Sequence, residues 1–165
     1  MESPKCRRFY RHHDDFSICV NIGEKGYVLA EHPNERFTTF FYVVYGSGKC
    51  GKIFESDSTK IESKKLTDVR KYIDSEVVFQ ADKDFHMIGF NTLDKNVKWE
   101  AELLTSENKI ISTTKEKSFL LCLDDEVTVN DKKFKRYAYA EIFPGIEYNL
   151  NIGENGALGL FSMKL

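Results

Sequence analysis

The chain has 165 residues, 41% of them apolar and 30% charged, with a net charge of −2. That length suits one domain able to bury a substantial core, and the balance excludes a disordered chain. It also gives no general reason to expect nucleic acid or an acidic membrane as a partner.

The N-terminus lacks the apolar core of a signal peptide, and no apolar run approaches the ~18 residues of a membrane-spanning helix. Cys6, Cys19, Cys50 and Cys122 are scattered, with no Cys-x-x-Cys pair. Scattered thiols point to a reduced compartment, hence a cytoplasmic protein, or a virion component if the origin is viral. Residue usage leans toward such an origin: Phe, Tyr, Met, Ile, Asn and Lys, the products of AT-rich codons, far outnumber Gly, Ala, Arg and Pro. That skew fits low-GC bacteria and their phages.

Residues 1–24 read as an N-terminal arm and first strand, and residues 25–165 as one β domain. Within the arm, Arg7, Arg8, Arg11, His12 and His13 form a basic patch soon followed by Asp14 and Asp15. So short and mixed a patch reads as a solvated or interface-bound surface rather than a nucleic-acid site. Neighbouring side chains of an extended chain point to opposite faces, so these histidines and aspartates do not converge on a metal without a tight turn.

Strand signals follow at residues 16–22 and 27–30. Residues 38–45 are almost wholly aromatic or β-branched and stop at Gly46-Ser47-Gly48, a strand followed by a hairpin turn. The Ser- and Lys-rich stretch 55–65 reads as an exposed loop. Residues 66–73 suggest the one short helix, with Thr67 or Ser63 as its cap.

Strands resume at 77–81 and 86–90. Residues 97–104 alternate, with Val97, Trp99, Ala101 and Leu103 on one face and Lys98, Glu100 and Glu102 on the other, the pattern of a half-buried antiparallel strand. Asn108 marks a polar turn before Ile110-Ile111. Residues 118–123 form a buried strand holding Cys122, and Asp124-Asp125 turns it into 127–129. Asn130-Asp131 makes the next turn, followed by a strand over 134–143 in which Tyr137 and Tyr139 alternate. Pro144-Gly145 breaks that ladder, and residues 148–152 and 157–163 complete the series. So many strands at spacings of ~8–12 residues argue a sandwich or barrel.

Two stretches resemble the motifs of the cupin superfamily. From Gly26, five residues lead to His32, then Asn34, Thr39 and the closing Gly46-Ser47-Gly48, which is the spacing of the first cupin motif. Residues 121–130 resemble the cupin strand–turn–strand segment. Phe143-Pro144-Gly145-Ile146-Glu147-Tyr148 resembles the second motif, with Tyr148 at the position of its histidine. The resemblance covers roughly residues 26–163 and implies an all-β, cupin-like jelly roll or β-barrel of antiparallel strands with at most one short helix.

In metal-dependent cupins, imidazoles and one carboxylate meet at ~2 Å from a shared ion. Carried over residue by residue, the ligand positions hold His32, Asn34, Thr39 and Tyr148: one imidazole, one amide and two hydroxyls. Such a set is poor for a divalent transition metal, so no metal and no cofactor is expected. Glu35 enters only through a one-residue slip, which turns its side chain to the other face. His86 reads as a hydrogen-bonded core or wall residue, or as a side chain entering the lumen. Together His32, Asn34, Thr39, His86 and Tyr148 are the candidate lumen residues.

Three functional readings follow. The first is a non-catalytic cupin-like protein acting by assembly or binding, as a homo-oligomer or as a phage or virus structural or accessory protein. Its aromatic strands supply interface or sugar-stacking surface. The second is a small cupin enzyme, a sugar epimerase or isomerase or an oxygenase, with His32 or His86 as base and Tyr148 as acid. The third is a protein that holds a small molecule or sugar in the barrel lumen.

Overall fold

A computed structural model describes residues 2–31, 37–52, 58–72, 77–93 and 98–164. The described chain is all-β, with antiparallel sheets and one 3₁₀ turn, and it forms two compact units, Met1–Lys95 and Asn96–Leu165. Among the described residues no helix is long and apolar enough to cross a membrane.

In the first unit the strands are β1 (Cys6–His12), β2 (Phe16–Gly23), β3 (Val28–Glu31), β4 (Phe37–Tyr45), β5 (Gly48–Lys52), β6 (Ser58–Ile61), β7 (Leu66–Asp68), β8 (Val77–Ala81) and β9 (Phe85–Thr92). They build a five-stranded sheet in the order β1-β2-β9-β4-β7 and a four-stranded sheet in the order β3-β8-β5-β6. Phe41, Val43, Phe85 and Met87 from the first sheet meet Leu29, Cys50, Ile61 and Phe79 from the second in one hydrophobic cluster. Each such side chain contributes about 1.5–3 kcal/mol by leaving water.

The turn at Gly46 is not a hairpin. It carries the chain from the five-stranded sheet to the four-stranded one, because β4 and β5 belong to different sheets. Gly46 has φ of +99° and packs so closely on the backbone of Asp84 and Phe85 that a side chain has no room. Residues 66–72 also differ from the expected helix. Leu66–Asp68 pairs with Tyr42, Phe41 and Phe40 of β4, and only Arg70–Tyr72 winds into a 3₁₀ turn. Asp68 Oδ1 accepts the Arg70 N–H at 2.9 Å and so caps that turn. Cross-strand pairing outweighs a weak local helix preference here.

In the second unit the strands are β10 (Lys98–Leu104), β11 (Ile110–Ile111), β12 (Ser118–Asp124), β13 (Val127–Val129), β14 (Lys132–Phe134), β15 (Tyr139–Ile142), β16 (Tyr148–Ile152) and β17 (Ala157–Lys164). Two four-stranded sheets, β10-β17-β12-β15 and β11-β16-β13-β14, enclose a cluster that includes Leu104, Leu120, Val127, Ile142, Leu150 and Leu158. Asn130 and Asp131 have φ of 48° and 63° between the paired Val129 and Lys132, which makes a two-residue hairpin turn of the kind that tolerates Asn and Asp. The continuous strand expected over 134–143 is interrupted. Tyr137, with φ of 75°, turns the chain, and its N–H donates to the Cys122 carbonyl at 2.7 Å.

Candidate ligand site in the first unit

Strand β2 reads Phe16-Ser17-Ile18-Cys19-Val20-Asn21-Ile22, strictly alternating between large apolar and small or polar residues. Alternation places Ser17, Cys19 and Asn21 on one face of the sheet. Their partners on β9 are Asn91, Gly89 and Met87, and the next partners on β4 are Thr38, Phe41 and Val43. Phe41, Val43 and Met87 belong to the unit's core cluster, so this polar set lies on the inner face. On the other side β1 sets His12, Tyr10 and Arg8 beside Ser17, Cys19 and Asn21.

The inner face therefore carries a cross-strand row of His12, Ser17, Asn91 and Thr38, with Cys19 and Asn21 beside it. Ser17 and Asn21 are fully buried at 0% exposure, and Asn91 and Thr38 are at 5% and 6%. Thr38 Oγ1 donates to Asn91 Oδ1 at 2.9 Å, and Asn21 Nδ2 donates to Cys19 Sγ at 3.4 Å. An Arg8 guanidinium nitrogen stands 3.6 Å from the same sulfur, and its carbon lies 5.6 Å from the Tyr10 ring centroid. Burial pushes the half-buried Cys6 thiol up against the pull of Arg8.

Two of these buried groups lack what burial ordinarily demands. Ser17 Oγ and Asn21 Oδ1 have no hydrogen-bond partner among the described residues. An unsatisfied buried polar atom costs about 1–3 kcal/mol, so such atoms are rare in a protein interior. The two residues are about 13 Å apart along β2. Gly89 lies between them across the ladder, where a methyl group would stand in ordinary contact with Phe41 and Asn91, at 3.4 and 3.6 Å.

Of the five candidate lumen residues, the three described ones, Thr39, His86 and Tyr148, are not members of this row. His32 and Asn34 lie outside the described residues. Thr39 is the extra residue of a β-bulge in β4, and its buried hydroxyl donates to the Phe90 carbonyl at 2.9 Å. His86 pairs with Ile22 and Tyr45, on the sheet face opposite the inner row, and lies edge-on to the Tyr45 ring at 5.7 Å. Since Tyr45 is six positions beyond Thr39 on β4, His86 and Thr39 are about 20 Å apart along the sheet. Tyr148 belongs to the second unit, where its hydroxyl accepts the Phe143 N–H at 3.0 Å and ties down the Pro144-Gly145 turn.

The described members of the ligand set do not fit a metal. The Thr39 hydroxyl donates a hydrogen bond to a main-chain carbonyl, and the Tyr148 hydroxyl accepts one from a main-chain amide. Among the described residues no three His, Cys, Asp or Glu side chains lie together where they could hold an ion. In the second unit an open groove of about 400 Å³ carries Glu100, Glu102, Thr113, Lys115 and Ser162. Its charges and hydroxyls answer one another: Lys115 Nζ is 3.9 Å from Glu100, and Ser118 and Ser162 share a hydrogen bond of 2.8 Å. Of the four buried side-chain polar atoms without a partner among the described residues, Ser17 Oγ and Asn21 Oδ1 share the inner row of the first unit, while Thr92 Oγ1 and Arg136 Nε do not belong to it.

The sequence held a signal for that row in the alternation of β2. A polar period-two face ordinarily reads as solvent-facing, and both faces of β2 are in fact buried: Phe16, Ile18 and Val20 at 0–1%, and Ser17, Cys19 and Asn21 at 0–2%.

Comparison with solved structures places this architecture. Over 98% of its length the chain is similar to HutD from Pseudomonas fluorescens SBW25, with a TM-score of 0.66, 10% identity and 98% of that chain covered. It is similar over 98% of its length to a cupin 2 conserved barrel domain protein from Leptotrichia buccalis, with a TM-score of 0.54, 12% identity and 89% of that chain covered. The bacterial pirin YhhW from Escherichia coli, solved in complex with nickel(II), matches 97% of the chain with a TM-score of 0.55, 8% identity and 98% of its own chain covered. No protein-family model and no curated protein sequence matches the chain.

Proposed function

We propose that this chain, a cupin-type fold, is a binding protein that holds a small polar molecule, sugars included, against the inner row of its first unit without transforming it. The observation that carries the reading is the pair of fully buried groups without a hydrogen-bond partner among the described residues, Ser17 Oγ and Asn21 Oδ1, on one polar row. Hydroxyls and amides both donate and accept, and rotation of the Asn21 amide exchanges its two roles, so the row suits a ligand rich in hydroxyl or amide groups. Nothing in the row forms a nucleophile–base pair. Of the groups of an enzymatic reading, Tyr148 as acid and His86 as one of the two candidate bases are engaged with the Phe143 amide and the Tyr45 ring, and the other candidate base, His32, lies outside the described residues.

The test is a thermal-shift panel of sugars, amino acids and small carboxylates on the wild-type protein and on Asn21→Leu and Ser17→Ala. At least one class raises the melting temperature of the wild type and loses most of that effect in both variants. A crystal structure with ordered water alone on Ser17 and Asn21, together with a flat panel, removes the reading.

A second reading, assembly into an oligomer or a larger particle, draws support from β1. That strand ends its sheet, both its faces are exposed, and Phe9 and Tyr10 are 42% and 49% exposed next to Arg7 and Arg11. Aromatic and arginine side chains in such a position are the composition of interface hot spots. A phage or virus role is this reading taken furthest, and composition is its support. Light scattering that finds a strict monomer up to high protein concentration eliminates it.

A further inference from the structure

The outer face of the four-stranded sheet in the first unit carries a feature that the inner row does not use. Antiparallel pairing sets Lys49 of β5 directly beside Lys60 of β6 and Gln80 of β8, and Gln80 beside Val28 of β3. The alternate positions Cys50, Phe79, Ile61 and Leu29 point into the core, so Lys49, Lys60, Gln80 and Val28 form an exposed row across all four strands. Lys25 adds a third ammonium group from the turn between β2 and β3. That turn is fixed in place: the Lys25 N–H donates to Asp84 Oδ1 at 2.8 Å, and the Gly26 N–H donates to the Ala81 carbonyl at 2.9 Å.

These lysines, with Ser58, Gln80 and Asp82, line an open groove of about 780 Å³. That volume falls in the ~300–1,000 Å³ range of small-ligand sites. The charge in it is unbalanced. Lys25 and Lys49 make no ion pair among the described residues, and Lys60 shares Glu62, 3.3 Å away, with Lys65. Asp82, the carboxylate among the described lining residues, accepts from the Ser47 hydroxyl. Like charges set directly opposite each other on a sheet destabilise it, and here two lysines face one another in a chain whose net charge is −2. An anion between them reverses the sign of that contact.

We propose that this groove binds a small multivalent oxyanion, with one anionic group between Lys49 and Lys60 and a second at Lys25, while Gln80 and Ser58 supply neutral hydrogen bonds. Lysine recognises such groups as a point charge, with no planar bidentate geometry, so phosphate and carboxylate share the chemistry. The site is separate from the inner row, which belongs to the other sheet and faces the core.

Pyrophosphate and citrate, titrated in separate arms at matched ionic strength and followed by calorimetry and amide chemical shifts, test the assignment. At least one anion is expected to bind with shifts centred on Lys49, Ser58, Lys60 and Gln80. Its affinity falls at least tenfold in K49Q/K60Q and weakens as salt is raised. Binding of pyrophosphate alone assigns phosphate, and binding of citrate alone assigns carboxylate. The double variant changes exposed side chains and removes a like-charge contact, so it retains the wild-type melting temperature or exceeds it. Equal affinity in wild type and double variant, shifts spread over the whole surface, or no binding of either anion at millimolar concentration overturns the proposal.

Discussion

Asn21 and Cys19 sit two residues apart on β2 and share one hydrogen bond, 3.4 Å from Asn21 Nδ2 to Cys19 Sγ, while the amide oxygen of the same Asn21 is buried with no partner among the described residues. The side chain is thus half satisfied in a place where nothing of it reaches solvent. Replacing such a group by an apolar one of similar shape removes an unpaid desolvation cost. Asn21→Leu is therefore expected to raise unfolding stability by about 1 kcal/mol in urea melts while abolishing ligand-dependent stabilisation. A loss of 1 kcal/mol or more instead would mean that the amide is fully hydrogen-bonded in solution.

The second prediction concerns Asp124, whose side chain is only 6% exposed. Arg136 holds it at 2.7 Å and also reaches Asp125 at 3.2 Å. Removing the cation leaves a buried carboxylate that keeps the Asp125 N–H, at 2.9 Å, but loses the charge of Arg136. Arg136→Met is expected to cost about 3–5 kcal/mol, and Asp124→Asn in the same chain to restore a large part of it. Denaturant midpoints of the two single variants and the double variant decide the matter. Simple additivity would show that the pair does not act as a unit.

Cys122 supplies a pH dependence. Burial, reinforced by the charge of Asp125, pushes its thiol from the ordinary 9.0 up to about 12. The folded state therefore favours the neutral thiol more than the unfolded state does. Its contribution is fully present below pH 9 and is lost as pH rises toward 12. Cys122→Val should flatten the fall in stability over that interval while leaving neutral stability within about 1.5 kcal/mol. The same burial predicts that iodoacetamide at pH 8 labels the half-buried Cys6 well before Cys122.

Gly46 gives the sharpest backbone test. Its φ of +99° lies where only glycine is at ease, and a Cβ there runs into the main chain at Asp84 and Phe85. Gly46→Ala combines a strained dihedral with a clash against backbone, at an expected cost of at least about 2 kcal/mol. Gly145→Ala is the control. It also has positive φ, at +79°, but nothing lies within 4 Å of the added carbon, so its cost is expected to stay near 1 kcal/mol. Equal losses in the two variants would exclude the clash as the cause.

Much of the fold was legible because period-two patterns and turn residues act locally. Trp99 buried beside the exposed Lys98 and Glu100 is what the alternation of β10 demanded, and the Asn130-Asp131 turn is what its residue types permit. The failures share a physical cause. Leu66 to Asp68 became a strand because β4 offered a partner, and residues 134–143 broke at Tyr137 because the Cys122 carbonyl took its amide. Neither partner is near in sequence. For the candidate site, motif spacing led to Thr39 and Tyr148, and a lone strand histidine to His86; their hydrogen bonds and ring contacts serve the fold.

By itself the sequence determined which side chains share a face, since a strand's side chains alternate whatever lies above them. It therefore settled that Ser17, Cys19 and Asn21 point one way and Phe16, Ile18 and Val20 the other. Only the tertiary structure decided that both faces are covered, because burial depends on what packs above a face and not on the strand's own pattern. That covering turns an ordinary polar stripe into two stranded hydrogen-bonding groups, and with them into the candidate site.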